Sequence, residues 1–516
     1  MKFSLRNPFW VLGLVLLWRA ALLVFTAQPI PANDAFIFDG ALANWLHGGH
    51  YVNPCLSVAY PISSGQIFSI YPPIYQLALL LWMLIFGTSA LAVMWLHLIF
   101  FGLAAALTLM IWKKYFPAVN GFALLALLLL GITFNDRPED LAHVFGLASL
   151  LLVSHQMARA SSSPALVVGT ALTLWLTLYT SVIVGAFYFG AGFLACAAAW
   201  WWSRKSKICF LPFVIAALMF AVVTITIAGV KPLWWRGFLE NATKQSVVGG
   251  FHLPRGMEVL KLIRSAPVFL LAAALAPLIL RRRPTFSDAD RVGLCLLAGI
   301  FVMGWILLVL ALTLLAPNYI FYTLFTQVLL AVGLLALVRK LFPAAEARLR
   351  RVLWVCVILV SIRAVGMTTW GAACAWQNSY ASTQQTLRYE LEPFAKTNLP
   401  VVIGSQFLYG AQAMGVLNPI HSDWYFDRAQ PNPDANFNGI VRLRPTKLVL
   451  SQFDYYRAFV PLLERLRQHP ELVTVRVRDL AQVRPPDAIP AFSRVVQHVS
   501  WAPVIVDLDW KNPPTP

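Results

Sequence analysis

The sequence predicts a polytopic α-helical membrane protein that carries a small exported α/β domain at its C-terminal end. Three observations predict it. Of 516 residues, 59% are hydrophobic and only 12% are charged, with a mean hydropathy of +0.68, which excludes an ordinary soluble protein. Apolar runs of membrane length recur through residues 1–370, and many end in Lys or Arg. From Gln377, polar stretches, prolines and short apolar runs replace them, so the chain divides into 1–370 and 371–516. The net charge of +18 is then a topology signal, because the basic residues punctuate span ends instead of clustering on one folded domain as in a nucleic-acid binder.

Read from a cytoplasmic N-terminus (Lys2, Arg6), the first span falls at about 8–27, and no Lys or Arg follows from residue 20 through 112. That whole loop is expected outside. The apolar stretch 72–87 falls short of the ~17–25 residues a span needs, whereas 89–112 is long enough and ends at Lys113-Lys114. The shorter stretch is therefore read as a dipping or surface helix. Further spans are expected at about 119–134, 141–158, 165–179, 181–202, 208–229, 266–280, 292–316, 319–338 and 352–370, about 11 transmembrane helices in all. The basic loops ending at Lys114, Lys207, Arg283 and Arg351 then lie inside and the C-terminal domain outside. One outside loop breaks the rule. Residues 230–265 hold Lys231, Arg236, Lys244, Arg255, Lys261 and Arg264, which suits an anionic ligand or a helix anchored on a lipid surface. Cys55 and Cys374 are the two cysteines of exported segments, the pair a disulfide would use, and no metal-ligand spacing is visible.

In the exported domain 399–404, 447–450, 472–477 and 503–506 read as strands, and 459–466 as a helix between the second and third. Strand, helix, strand predicts a small α/β domain. The stretch 428–434, rich in Pro and Asn, reads as a loop.

Candidate chemistry sits where the chain leaves the lipid. Asn33-Asp34 follows the first span, and Phe38, Leu42 and Trp45 share one side of a helix that would lie on the membrane surface, with Asp39 beside them. Carboxylates at that boundary reach both a lipid head group and a water-soluble molecule; Asn33 or Asp34 would equally serve as a helix cap. A second acidic cluster, Asn135-Asp136-Arg137-Pro138-Glu139-Asp140, falls at the next outside turn, where Pro138-Glu139-Asp140 also suits a first helical turn. Facing carboxylates can divide labour, one taking a proton from a hydroxyl while another holds a metal or orients the acceptor. Ile70-Tyr71-Pro72-Pro73 fixes the backbone where loop becomes helix. Arg19 and Arg363 lie inside apolar spans and need a partner such as a lipid phosphate or carboxylate. His47 and His50 flank Gly48-Gly49 and read as loop residues.

An acidic residue early in the first exported loop, a Tyr-Pro-Pro helix start and an Arg-Pro-acidic turn after the third span together resemble the GT-C superfamily of membrane glycosyltransferases, which includes protein mannosyltransferases and lipid A aminoarabinose transferases. The resemblance covers roughly residues 1–370 and implies sugar transfer from a polyprenyl-phosphate carrier to a lipid, glycan or protein acceptor on the outer face of a bacterial inner membrane. It implies a general-base or acceptor-positioning role for Asp34, with Asp136, Glu139 or Asp140 as the second acidic site. Asp39, Tyr71, Arg137, Lys231, Arg236, Arg255, Tyr319 and Arg363 are the candidate substrate contacts, and a divalent metal ion is the candidate cofactor. The sequence departs from the pattern where Pro317-Asn318-Tyr319 stands in place of Arg-Tyr. A transporter or flippase of a lipid-linked or anionic substrate is the rival reading. Against it, the acids lie at span ends, transporter sites lie near the midplane on broken helices, and no paired repeat is evident.

Overall fold

The computed structural model describes residues 7–26, 35–56, 62–117, 137–159, 163–203, 210–246, 267–282, 287–313, 323–345, parts of 347–362, nearly all of 380–397, and 399–422, 433–451, 455–480 and 503–512. Asp34, Asp136, Arg255, Tyr319 and Arg363 lie outside the described residues, as does the expected span 119–134 and most of 352–370.

The membrane half is helical. Its helices are α1 (Pro8–Thr26), α2 (Ala35–Phe38), α3 (Gly40–Leu46), α4 (Pro73–Phe86), α5 (Ala90–Tyr115), α6 (Glu139–Ala158), α7 (Pro164–Thr180), α8 (Val182–Ser203), α9 (Leu211–Val230), α10 (Pro232–Ser246), α11 (Pro267–Arg282), α12 (Asp288–Thr313) and α13 (Leu324–Leu341). Among the described residues 7 helices are long and apolar enough to cross a membrane, namely α1, α5, α6, α8, α9, α12 and α13; α4, α7 and the first part of α11 are apolar but shorter. The chain is an integral membrane protein. On α9 the exposed residues Leu211, Val214, Leu218, Val222 and Ile225 recur at helical spacing, as a lipid-facing stripe does. Buried packing relies on small residues where helices approach. A Cβ on Gly299 of α12 would sit 2.1 Å from the Ala191 carbonyl of α8, so only glycine allows that contact.

The loop after α1 departs from the expected surface helix. It breaks at Asp39 into α2 and α3, and Gly40, Ala41, Leu42, Ala43 and Asn44 are all buried while Trp45 is exposed. The physical reason is a partner on the second face. Gly40, Ala41 and Ala43 leave room for a helix of the C-terminal domain to pack against what would otherwise be the solvent side. Asn44 Nδ2 donates to the His50 carbonyl at 2.9 Å and Asn53 Nδ2 to that of Ile37 at 3.1 Å, so the loop folds back on its own helices. His47 and His50 are loop residues, as expected, and Gly48 takes a left-handed φ of 92° directly after α3.

The C-terminal domain contains α14 (Tyr380–Leu391), α15 (Ser405–Ala413), α16 (Pro433–Leu443) and α17 (Val460–Arg467) around β1 (Val401–Ile403), β2 (Pro419–His421), β3 (Lys447–Leu450), β4 (Leu472–Asp479) and β5 (Val504–Trp510). The five-stranded sheet runs β2-β1-β3-β5-β4, parallel at β1 with both neighbours and antiparallel at β5 with both of its own. The four expected strands and the expected helix are present; β2, α14, α15 and α16 were not legible. The expected loop at 428–434 is described only at its end, where Pro433 and Asp434 already begin α16. Cys55 is a buried free thiol and makes no disulfide; Cys374, the partner considered for it, lies outside the described residues. The Cys55 sulfur donates to Asn53 Oδ1 at 2.7 Å and accepts from Gln412 Nε2 of α15 at 3.1 Å.

Candidate active site

Five helices bring the acidic residues together. Asp39 sits between α2 and α3, Tyr71 and Tyr75 flank the start of α4, His97 lies about two turns into α5, and Glu139 and Asp140 open α6. Pro72-Pro73 holds α4 at its first turn, with Pro72 extended at ψ 154°. Pro138 does the same for α6, whose first turn carries both carboxylates.

The carboxylates are inside the protein. Asp39 has no exposed surface, Glu139 retains 3% and Asp140 9%. Buried charge is tolerated only with partners, and these are built in. The Tyr71 hydroxyl donates to Glu139 Oε1, and the Tyr71 ring meets Phe38 edge-on at 4.7 Å. The Tyr75 hydroxyl donates to Asp39 Oδ1 at 2.7 Å and lies 3.0 Å from His97 Nε2. On its other side His97 presents Nδ1 to Asp140 Oδ2 at 3.4 Å, an ion-pair distance. Gln76 Nε2 donates to the Phe38 carbonyl at 2.6 Å, tying α4 to the end of α2. Arg137 acts on Asp140 through space and closes the turn by accepting from the Asp140 amide at 3.1 Å.

The first-loop acid Asp39 and the α6 acid Asp140 thus lie along one series of contacts through Tyr75 and His97. The sequence reading missed Tyr75 and His97, the residues that link them. The available signal was polar groups within apolar helical runs, which have to find a partner.

The basic segment 230–265 is described only to residue 246. There Lys231 ends α9, and Lys231 and Arg236 are both exposed. The rest of α10 docks on the first loop. Glu240 Oε2 accepts from the Ile62 amide at 3.1 Å, the Ser63 amide at 2.8 Å and Ser63 Oγ at 3.0 Å, and Asn241 Nδ2 donates to the Ile70 carbonyl at 2.8 Å. The last of these bonds falls one residue before Tyr71. Among the described residues no group of three or more His, Cys, Asp or Glu is arranged to hold a metal ion.

The C-terminal domain roofs the same region. Gln412 of α15 donates to Asn53 Oδ1 at 3.0 Å, Tyr409 donates to the Thr88 carbonyl at 2.9 Å, and Thr88 Oγ1 donates to the Ala413 carbonyl at 3.3 Å.

Neither a protein-family profile nor a curated protein matches the chain. Solved structures do. ArnT from Cupriavidus metallidurans bound to undecaprenyl phosphate superposes with a TM-score of 0.51 at 13% identity, covering 96% of this chain and 98% of that one. The same protein in the apo state gives 0.51 at 14% identity, covering 98% and 99%. The chain has the ArnT fold. ArnT is a lipid A aminoarabinose transferase of the GT-C fold, so the resemblance found in the motifs holds at the level of architecture. It extends beyond residues 1–370, because coverage at this extent takes in the C-terminal domain as well as the membrane half of the ArnT-like fold.

Proposed function

We propose that the protein transfers a sugar from a polyprenyl-phosphate-linked donor to an acceptor on the outer face of the membrane. The observation that carries this reading is a cluster of buried carboxylates, Asp39, Glu139 and Asp140, held under a C-terminal roof on a fold whose ArnT representative binds undecaprenyl phosphate.

Such a transfer breaks the bond from the anomeric carbon to phosphate oxygen and forms one to the acceptor oxygen. The electron pair leaves with the phosphate, and the acceptor hydroxyl gives up its proton. Phosphate departure calls for cations, supplied in this reading by Lys231, Arg236, Arg255 and Arg363, with Tyr319 alongside. Proton removal calls for a carboxylate. Asp34 is the proposed base, with Asp136, Glu139 and Asp140 as the second acidic site and Asp39, Tyr71 and Arg137 shaping it. Among the described residues no ligand set for a metal is assembled. The orientation follows the charge pattern, with the N-terminus cytoplasmic and residues 371–516 exported from a bacterial inner membrane.

The test is direct. The purified full chain in lipid nanodiscs should bind undecaprenyl phosphate, and membranes containing it should release that lipid from polyprenyl-phosphate sugars when an acceptor fraction from the cell envelope is added. Absence of both binding and release across pentose and hexose donors would overturn the proposal.

A further inference from the structure

The bonds linking Asp39 to Asp140 have a stoichiometry that the separate residues do not reveal. Three contacts stand in series: Asp39 Oδ1 to Tyr75 OH at 2.7 Å, Tyr75 OH to His97 Nε2 at 3.0 Å, and His97 Nδ1 to Asp140 Oδ2 at 3.4 Å. The first two are hydrogen bonds and the third is an ion-pair contact, which attracts only when one proton is held between the imidazole and the carboxylate, so each of the three takes one proton. Tyrosine brings one proton and a neutral imidazole brings one. The third must be retained from the two carboxylates, so the four groups carry a net charge of −1, not −2. That proton lies between His97 and Asp140 when Tyr75 donates to Asp39, and between Asp39 and Tyr75 when Tyr75 donates to His97. Concerted movement of the three protons along their bridges interconverts the two arrangements and moves one positive charge from one carboxylate to the other.

We propose that Tyr75 and His97 form a proton-conducting bridge between the Asp39 and Asp140 carboxylates, which stores the proton released by the acceptor. The second half of this statement rests on the sugar-transfer reading; the bridge itself does not. In balance, the acceptor O–H bond breaks, its oxygen bonds the anomeric carbon, the phosphate leaves with the former C–O pair, and the proton passes by way of the proposed base Asp34 to one carboxylate of the bridge. Shifts along the three links leave the added proton on the outer oxygen of the other carboxylate, and the four groups go from a net charge of −1 to neutral. Tyr75 and His97 are positioning residues, since they act through the acids.

The surroundings suit this role. His97 and Tyr75 are fully buried, and Phe100 packs edge-on against the imidazole at 6.3 Å, which keeps bulk water from short-circuiting the bridge. The described charged or titratable groups that face His97 are Tyr75 from α4 and Asp140 from α6; Asp39 joins through Tyr75, and Arg137 acts on Asp140. Helices α1, α12 and α13, packed on other faces of α5, meet it through apolar side chains of the main core. His143, one turn along α6 from Asp140, is engaged by the Tyr188 hydroxyl at 3.0 Å.

The experiment reads the imidazole directly and needs no substrate. The full chain in nanodiscs is labelled with ¹⁵N-histidine, and the His97 signals are identified among nine histidines by their loss in His97→Gln. Asp39→Asn, two bonds away, should shift the His97 resonances and the pH at which they titrate, and Tyr75→Phe should abolish that response. A His97 spectrum indifferent to Asp39→Asn, or a response that survives Tyr75→Phe, overturns the bridge. In the transfer assay, Tyr75→Phe should lower kcat at least tenfold with the donor KM within twofold. A coupled His97 in a chain that binds no undecaprenyl phosphate would sink the transferase reading alone.

Discussion

Asp34 is the residue whose role divides most sharply between chemistry and structure. Asparagine caps a helix as well as aspartate does, but it cannot accept a proton. Asp34→Asn should therefore leave folding and membrane insertion intact while lowering turnover ~10²–10⁴-fold, the usual loss for a general base. Turnover within about threefold of the parent would assign Asp34 to capping. Glu139→Gln and Asp140→Asn differ in kind, because both side chains are buried among specific partners. Each keeps its volume and loses its charge, so at least one should retain normal expression and thermal stability while losing activity by a similar factor. Parental turnover in both would remove the second acidic site from the mechanism. What made these acids legible was cost. Carboxylates flanking apolar runs must be exposed at the membrane surface or paired, and the Arg-Pro-Glu-Asp turn between spans left two uses open, a first helical turn and a site. Tyr75 and His97 were not legible, since nothing local to either residue shows that residues 39, 97 and 140 meet in space.

Among the elements, those fixed by their own periodicity were readable and those fixed by a partner were not. The spans at α5, α6, α8 and α9 follow from apolar runs of membrane length. Strand β2 is three residues, Pro419–His421, and is a strand only because it pairs in register with β1. The break at Asp39 likewise depends on α15 arriving from the other end of the chain. Two predictions belong here. Glu390 of α14 is clamped to the sheet by Lys447 of β3 and by Arg478 of β4, whose Nη1 reaches Oε1 at 2.6 Å and whose Nη2 reaches Oε2 at 2.9 Å. Hydrogen bonding to Arg478 first, then Lys447, holds its carboxyl down at about 2 against a usual 4.5. A depressed carboxylate stabilises the fold above its unfolded pKa and loses that contribution as pH falls through the folded value. That contribution should thus diminish between roughly pH 4.5 and 2, and amide exchange in residues 447–450 should accelerate across that window. Glu390→Gln should flatten the dependence; an unchanged profile would show the clamp to be idle. The second concerns α10, where a Cβ on Gly237 would lie 2.2 Å from Ser69 Oγ and 2.9 Å from the Ser63 Cα. Backbone on the far side cannot yield cheaply, so Gly237→Val should cost ~1–3 kcal/mol and expose loop 62–70 to protease. A protease pattern identical to the parent's would mean that α10 shifts freely.

At the scale of the whole molecule, the two ends of the bundle differ in charge and in partners. One end gathers the cationic termini. Lys113 of α5 lies over the Phe9 ring of α1 at 5.9 Å, Lys114 meets His155 near the end of α6 at 3.0 Å, and Arg291 of α12 lies over Trp202 of α8 at 5.9 Å. Lys340 of α13 pairs with Asp290 of α12 at 2.9 Å at the same end, beside a cleft that also takes in Tyr115, Phe116 and Arg339. The opposite end, about 39 Å away along the 26 residues of α5, holds Thr88, the start of α6 with Glu139 and Asp140, and through Tyr409 and Ala413 the C-terminal domain. The positive-inside rule predicts that the first end is cytoplasmic. On that prediction the buried carboxylates and the domain above them share the exported side, where the proposed lipid-linked donor and acceptor would meet. Cysteines introduced at 430–435 should react with an impermeant maleimide added outside spheroplasts, and cysteines at 114 and 340 should react only after the membrane is opened. Labelling of 430–435 solely from the cytoplasmic side would invert the molecule and place its acidic site on the wrong face for an exported acceptor. Mixed labelling of both sets would instead show dual insertion, which so strong an asymmetry between the ends argues against.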